Sequence, residues 1–554
     1  MCRFLRLSVE YSLDNRAAEL KEYLIATEAF DRKPSFDPRL DPIVRVEARR
    51  LRSKLVKYYE GEGRADEIVI DLPKGSYAAV FSSRPQLRTE APARATEGTI
   101  AVLPFANLSA EEENEYFSDG LTQELILKLT RVEGLRVVAW NSAVQLRGAS
   151  YDVPSIGRQL SVGAVLTGSV RKAGQRARIA VQLIDASTNL YLWSEAYDRE
   201  LEDLLCLQEE ISRAIVGTLR LKLADRLPAR PAASANFEAH NLYLKGRFHW
   251  NKRTADGLNR SVDFFERALA LDDTCALCWA GLADAWTLLA DYGQRESSDV
   301  MPRARRAAEK AIALDPSMGE AWTSLALIRC GFDWEWEDAE RCFRRAIELN
   351  PGYSTVHLWY GADFLIPLGR FDEARVEIDL ARRMDPLSNI IIECDGFLYM
   401  MTRRYDEAIA AYQEALDLDS NYYKAWASIG RALIQKSEYK EAIDKLERAR
   451  AIGGDIPNVL GALGQAYALA GTPERARILI QKLRDESRTR HITSTCLAII
   501  HLGLGEIDLA LCALETSCDR RELPLMNLNV HPVYDCLRAE PRFRNLLRRM
   551  RLET

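Results

Sequence analysis

The stretch YDEAIAAYQEALDLDSNYYKAWASIGRALIQKSEYKEAIDKLERARAIGG, residues 405–454, repeats its own pattern after one helix pair. Ala408 and Ala442 stand 34 residues apart, and so do Ala415 and Ala449. Working outward, Ala476 and Ala510 prolong the first series at the same step, and Ala381 opens the second. Gly396, Gly430, Gly464 and Ala498 form a third series, again at 34. Upstream, Ala304, Ala339 and Ala374 step by 35, as do Pro316, Pro351 and Pro386. A fixed period in this range marks a solenoid of small helical units. A glycine or alanine where two helices cross lets the backbones approach. Trp279, Leu282, Trp286, Trp322, Leu325, Trp426 and Ile429 supply the apolar bulk around those crossings. Each proline closes a second helix, since it cannot continue the hydrogen-bond ladder.

Eight helix pairs fit between about 240 and 520. The first is irregular, because its turn, HWNKRTADG, is long. A separation of 43 between Ala268 and Ala311 locates an insertion, DYGQRESSDVM at 291–301. The array, bounded at 238–520, resembles the tetratricopeptide repeat family over roughly half the chain. That resemblance implies a superhelix whose concave groove holds a protein or peptide partner. The groove is then lined by the first helix of each pair, which singles out Glu393, Phe397, Lys424, Arg431 and Gln465. The tail at 521–554 leaves the pattern and is expected to cap the array, hiding its last apolar face.

The middle of the chain, 99–225, reads as α+β. A polar, proline-containing linker at 83–98 precedes it and another at 226–237 comes after. TIAVLPF at 99–105 is a short buried-strand pattern, and GLTQELILKLTRV at 120–132 a helix. LRVVAW at 135–140 reads as a second strand. VGAVLTGSVRKAG and QRARIAVQLIDAS form a hairpin, NLYLWSEAYDRE a further strand, and 205–224 a closing helix. The segments IAVLPFANLS, YFSDGLTQEL, VGAVLTGSV and LYLWSEAYDRE resemble the amino-terminal domain of the TolB family. The resemblance implies protein contact, not catalysis. Asp119 and Glu124 are expected to be capping and surface residues.

Residues 1–82 carry the sharpest functional pattern. DPIVRVEARRLRSKLVKYYEGEG contains an amphipathic helix from about 42 to 59. Val44, Ala48, Leu51 and Leu55 make one apolar stripe, and Arg45, Arg49 and Arg52 a basic one on another face. With Arg50, Lys54 and Lys57, residues 43–59 hold six basic side chains against one acidic, Glu47. EIVIDLPKGSYAAVF at 67–81 then reads as two strands about Pro73-Lys74-Gly75. Helix, turn and a glycine-containing hairpin ending in an aromatic resemble the winged-helix output domains of response regulators. The carrying residues are Arg50-Leu51-Arg52-Ser53-Lys54-Leu55 and Gly75-Ser76-Tyr77. The resemblance implies double-stranded DNA as ligand, with Arg45, Arg49, Arg50, Arg52 and Lys54 on the recognition helix and Lys74 in the wing. Arginines on a helix of this kind read guanine edges or clamp phosphates. A docking surface for protein is the alternative.

The fold class is therefore mainly α: a solenoid preceded by an α+β domain and a small winged-helix-like domain. Composition bounds the rest. With 47% hydrophobic and 28% charged residues the chain is neither disordered nor fibrous, and a net charge of −6 gives no global sign of nucleic-acid binding. No apolar run approaches the roughly 18–20 residues of a membrane span, so no membrane partner is expected. The start of the chain does not read as a signal peptide. Eleven cysteines at irregular spacing suit free thiols in the cytoplasm. Cys275 and Cys278 form a lone C-x-x-C, read as packing. No phosphate-binding loop, zinc-protease motif or nucleophile elbow occurs. Catalytic residues, metal sites and cofactors are expected to be absent. Chains that combine this middle domain with a repeat array resemble relatives of class III adenylate cyclases. Those carry a separate catalytic domain with metal-binding aspartates, and no stretch of that length is left unassigned here.

Overall fold

Val44, Ala48, Leu51 and Leu55 are all buried, so the apolar stripe of the N-terminal helix is a core face. The structure is a computed structural model and describes residues 2–14, 16, 19–30, 32–33, 36, 43–60, 63, 66, 68–73, 77–83, 98–109, 115–132, 134–148, 152–173, 176–200, 204–219 and 236–553. The chain divides into two units, Met1–Arg94 and Ala95–Thr554. The first contains helices α1 (Cys2–Leu13), α2 (Glu22–Phe30) and α3 (Ile43–Glu60). Strands β1 (Ile68–Asp71) and β2 (Val80–Ser83) come next and pair antiparallel. Phe4, Ile25, Ala26 and Leu72 close the small core around the α3 stripe.

The second unit opens with a mixed sheet. Its elements are β3 (Thr99–Val102), β4 (Ala106–Asn107), α4 (Glu115–Thr130), β5 (Arg136–Val137), α5 (Trp140–Gln145), α6 (Val153–Leu160), β6 (Ala164–Ala173), β7 (Arg176–Asp185), β8 (Tyr191–Glu200) and α7 (Leu204–Thr218). The strand order is β5-β3-β6-β7-β8, with β4 also on β6. β3 runs parallel to both neighbours, and β6, β7 and β8 form an antiparallel meander. The expected strand at 135–140 is shorter than its apolar run, because Trp140 already begins α5. The two linker stretches lie for the most part outside the described residues.

The solenoid pairs α8 (Phe237–Asn251) with α9 (Ala255–Leu271), α10 (Ala276–Asp291) with α11 (Ser297–Leu314), and α12 (Gly319–Ile328) with α13 (Trp336–Leu349). Next come α14 (Ser354–Trp359) with α15 (Phe371–Met384), α16 (Asn389–Met401) with α17 (Tyr405–Leu418), and α18 (Tyr423–Gln435) with α19 (Tyr439–Gly453). The last pairs are α20 (Pro457–Leu469) with α21 (Pro473–Glu486) and α22 (Ser494–Gly503) with α23 (Ile507–Asp519), and α24 (Pro541–Arg549) ends the series. The series glycines sit where helices cross. A Cβ on Gly396 would come within 2.4 Å of the Tyr412 ring, and one on Gly430 within 2.5 Å of Leu446. Two stretches of π-helix, Arg329–Asp333 and Tyr360–Leu365, extend α12 and α14. They fall in the repeats that step by 35, so the extra residue is absorbed as a widened turn.

One hydrophobic core runs from the sheet through the whole array. Gly120 of α4 lets Leu244 of α8 approach to 2.7 Å of where a Cβ would stand. A second contact lies at the loop after α15. There the Asp385 carboxylate accepts from Ser142 N (2.7 Å), Ser142 Oγ (2.5 Å) and Asn141 Nδ2 (2.9 Å), while Leu387 N donates to Ser142 Oγ (2.8 Å).

The C-terminal segment does more than cap the last pair. Trp336 Nε1 donates to Met550 O at 2.8 Å, across 214 residues of sequence. Arg403 reaches Val530 O (3.0 Å) and Asp535 (2.7 Å), and Arg521 reaches Phe332 O (2.9 Å). The tail thus folds back onto inter-helix turns far upstream. Trp336 is the anchor of that tail.

Candidate functional site

Two places carry the charge patterns singled out in the sequence. In the N-terminal unit, Lys54 is exposed, and Arg50 is exposed while donating to Glu47 at 2.7 Å. Arg52 departs from expectation. Its guanidinium donates to Leu72 O (2.6 Å) and Pro73 O (3.0 Å), so it ties α3 to the hairpin instead of facing outward. The reason is local: two backbone carbonyls at the end of β1 lie beside the helix and accept the planar fork. Tyr77 completes the brace by donating to Glu22 at 2.9 Å. The side chains of Arg45 and Arg49, and all of Lys74, lie outside the described residues.

The second place lies among α10, α14, α16 and α18. A cavity of about 160 Å³ there is lined by Arg253, Asp291, Tyr292, Asp363, Glu393, Cys394 and Lys424, with Asn141 of the α+β domain at its edge. Of the five groove candidates, Glu393 and Lys424 meet in it, whereas Phe397, Arg431 and Gln465 do not line it. Glu393 accepts from Tyr422 Oη (3.1 Å) and Ser428 Oγ (3.2 Å). Lys424 Nζ lies 4.1 Å from the Tyr292 ring centroid, within cation–π range. Burial opposes its charge, but Tyr292 and Glu393 hold the ammonium above its ordinary value. Asp363 is pushed well up by burial and by the like charge of Asp291. Asp291 is pushed up by burial, although Lys424 and Arg253 pull the other way. Burial likewise raises the Cys394 thiol.

Sequence reasoning missed Asp291, Asp363 and Arg253. Asp291 opens the insertion found by the 43-residue gap, and Asp363 lies on a π-turn, so the irregularities in period were the available signal. In the C-terminal segment, burial first, then Arg431 and Arg403, hold His531 down at about 3. At roughly 30 Å³ per water, 160 Å³ accepts a single side chain and not an extended peptide.

Two further expectations are corrected. Asp119 and Glu124 are not surface residues: both are buried, Asp119 against Arg147 at 2.5 Å and Glu124 near His240 at 3.3 Å. Helix α4 is packed on nearly every side because the solenoid covers the face that an isolated domain leaves wet. Cys275 and Cys278 are joined by a disulfide, so the cysteines are not all free thiols. Their Cα atoms are 5.3 Å apart across the first turn of α10, within bridging distance.

Residues 398–457 match the tetratricopeptide repeat family. The solenoid is a tetratricopeptide array. Residues 95–214 match the HilA/YgeH-like transcriptional regulator, second domain. This match bears the HilA/YgeH name and not that of TolB, whose resemblance remains an expectation of the sequence. The chain is 36% identical over 232 residues to a putative adenylate cyclase 3 of Rhizobium meliloti, covering 41% of this chain and 40% of that one. It is 22% identical over 309 residues to the transcriptional regulator HilA of Salmonella typhimurium, covering 55% and 54%. The chain thus spans about half, or less, of the length of these curated relatives. Among solved structures, a monomeric mutant of IFIT1 with Gppp-AAAA aligns at TM-score 0.41 and 15% identity, covering 63% of this chain and 76% of that one. A HilA-like domain beside a tetratricopeptide array supports a regulatory role exercised through protein interaction. Among the described residues, no helix is long and apolar enough to cross a membrane.

Proposed function

We propose that the chain is a DNA-binding transcription regulator whose repeat array receives a protein partner. One observation carries this reading: the HilA/YgeH-like second-domain match at 95–214 comes directly after the unit that holds the basic helix α3. On this reading Arg45, Arg49, Arg50 and Lys54 meet phosphates or bases in a major groove, and Lys74 meets a wing-side phosphate. Arg52 acts indirectly, holding α3 to the hairpin. The partner inserts a side chain between Glu393 and Lys424, with Phe397, Arg431 and Gln465 as the flanking surface. The chain has no catalytic role of its own.

The test is anisotropy of a labelled 30-base-pair duplex with the full chain, titrated with salt. Log affinity should fall linearly with log salt. Arg49→Ala with Lys54→Ala should lower that slope by about 2, one for each lost phosphate contact. No binding at 50 mM salt removes the DNA-binding reading. The similarity to a putative adenylate cyclase favours a second reading, an interaction scaffold in a nucleotide-cyclase pathway. That scaffold binds no DNA but captures its partner equally well with and without residues 1–82. Cyclic nucleotide formed by the purified chain from ATP and a divalent metal would contradict both.

A further inference from the structure

The sheet's edge strand faces a second, much larger opening. A cleft of about 1380 Å³ runs between β5 and the C-terminal ends of α13 and α15. It exceeds the roughly 300–1,000 Å³ of ordinary small-molecule pockets and lies where such sites concentrate, between two packed domains.

The backbone of β5 explains what the cleft offers. Arg136 N and Val138 N point inward, donating to Gly98 O (2.7 Å) and Ile100 O (2.9 Å). Alternation then turns the N–H groups of Val137 and Ala139 outward, away from β3. Ala139 N finds the solenoid, donating to Met384 O at 2.8 Å. Val137 N, two residues earlier on the same side, has no hydrogen-bond partner among the described residues, and Val137 lines the cleft. An edge N–H left open beside apolar walls, here Val132, Leu349 and Leu380, is the feature that recruits an added strand.

The charges state what kind of strand. Four arginines line the cleft. Arg131 is paired with Glu320, and Arg382 with Asp395 and Glu414. Arg136 and Arg383 are exposed and have no ion-pair partner among the described residues. The two lining carboxylates are already engaged, Glu348 by Arg345 and Asp379 by Arg375. Among the described residues the uncompensated charge of the lining is therefore positive. We propose that this cleft binds an extended, acidic peptide segment of a protein partner, which adds as a strand beside β5 and sets its carboxylates against Arg136 and Arg383. The site is separate from the cavity that holds Glu393 and Lys424.

The probe is a fluorescein-labelled Glu-Val-Glu-Val-Glu-Val hexapeptide, with Lys-Val-Lys-Val-Lys-Val as its counterpart, titrated into the full chain. The acidic peptide should bind saturably and at least tenfold more tightly than the basic one. Arg136→Glu with Arg383→Glu changes two exposed side chains and should weaken the acidic peptide at least tenfold, with an unchanged circular dichroism spectrum. Hydrogen exchange at the Val137 amide should slow at least tenfold when the acidic peptide is bound. Absence of saturable binding overturns the proposal, as does indifference to the charge reversal or unprotected Val137 in the bound state. Displacement of the peptide by equimolar inorganic phosphate would also overturn it, making the cleft a small-anion site.

Discussion

Replacing Ser142 by alanine isolates the contact that holds the α+β domain against the solenoid. Ser142 and Asp385 are both fully buried. The substitution keeps the bond from Ser142 N to the carboxylate and removes two others: Oγ to Asp385 Oδ1 at 2.5 Å, and Leu387 N to Oγ at 2.8 Å. The first is a bond to a charged acceptor, about 1.5–3 kcal/mol, and the second leaves a backbone N–H unsatisfied, about 1–3 kcal/mol. The expected loss is about 3–5 kcal/mol at pH 7.5. Urea denaturation monitored by tryptophan fluorescence measures it, with Asn141→Ala as a smaller companion, since that removes a single bond from the other oxygen. Burial pushes the Asp385 carboxyl up to about 6, with Ser142 and Asn141 pulling it back. Below pH 6 the acid is increasingly neutral and needs its donors less, so the cost of Ser142→Ala should shrink toward pH 5. A loss under about 1 kcal/mol, or one that grows on acidification, would refute the reasoning.

Asp385 also predicts a pH dependence of its own. A carboxyl raised from 3.8 to about 6 makes the folded state bind the extra proton, so its stabilising contribution is complete below 3.8 and is lost as pH rises through 6. At 1.36 kcal/mol per unit this amounts to about 3 kcal/mol. It is read as the difference between wild type and Asp385→Asn across pH 4–7.5, where the difference should favour wild type at the acid end. Gly396→Ala should drive a methyl into the buried Tyr412 ring, costing about 1–3 kcal/mol less roughly 1 gained in helix propensity, seen as a lowered urea midpoint. Trp336→Phe removes the indole donor to Met550 O and should cost about 1–2 kcal/mol, with faster hydrogen exchange across α24.

Legibility in the sequence differs from element to element. The 34-residue glycine series translated directly into helix crossings, because close packing constrains residue size at a fixed place. The step of 35 was visible too, but its meaning was not. One added residue can lengthen a loop or widen a helix, and here it widened α12 and α14. At 100° per residue of an α-helix, a π-turn rotates the later residues off the expected face, which is why Asp363 escaped a reading based on regular repeats. Arg52 escaped for another reason. A basic stripe on one helix says nothing of carbonyls that a hairpin twenty residues later will place beside it. Asp119 and Glu124 belong to a helix covered by a different domain, and no local pattern in 115–130 reports that cover.

The return of the tail to Trp336 and Arg403 has a consequence for how the molecule comes apart. A linear array is held by nearest neighbours alone and melts from its free ends. Here the last thirty or so residues are stitched to the third and fifth helix pairs. Fraying of α24 therefore loosens the middle of the array, and the middle cannot open while α24 stays docked. The repeats should lose their independence and unfold in one cooperative step, as a closed ring does when any link is cut.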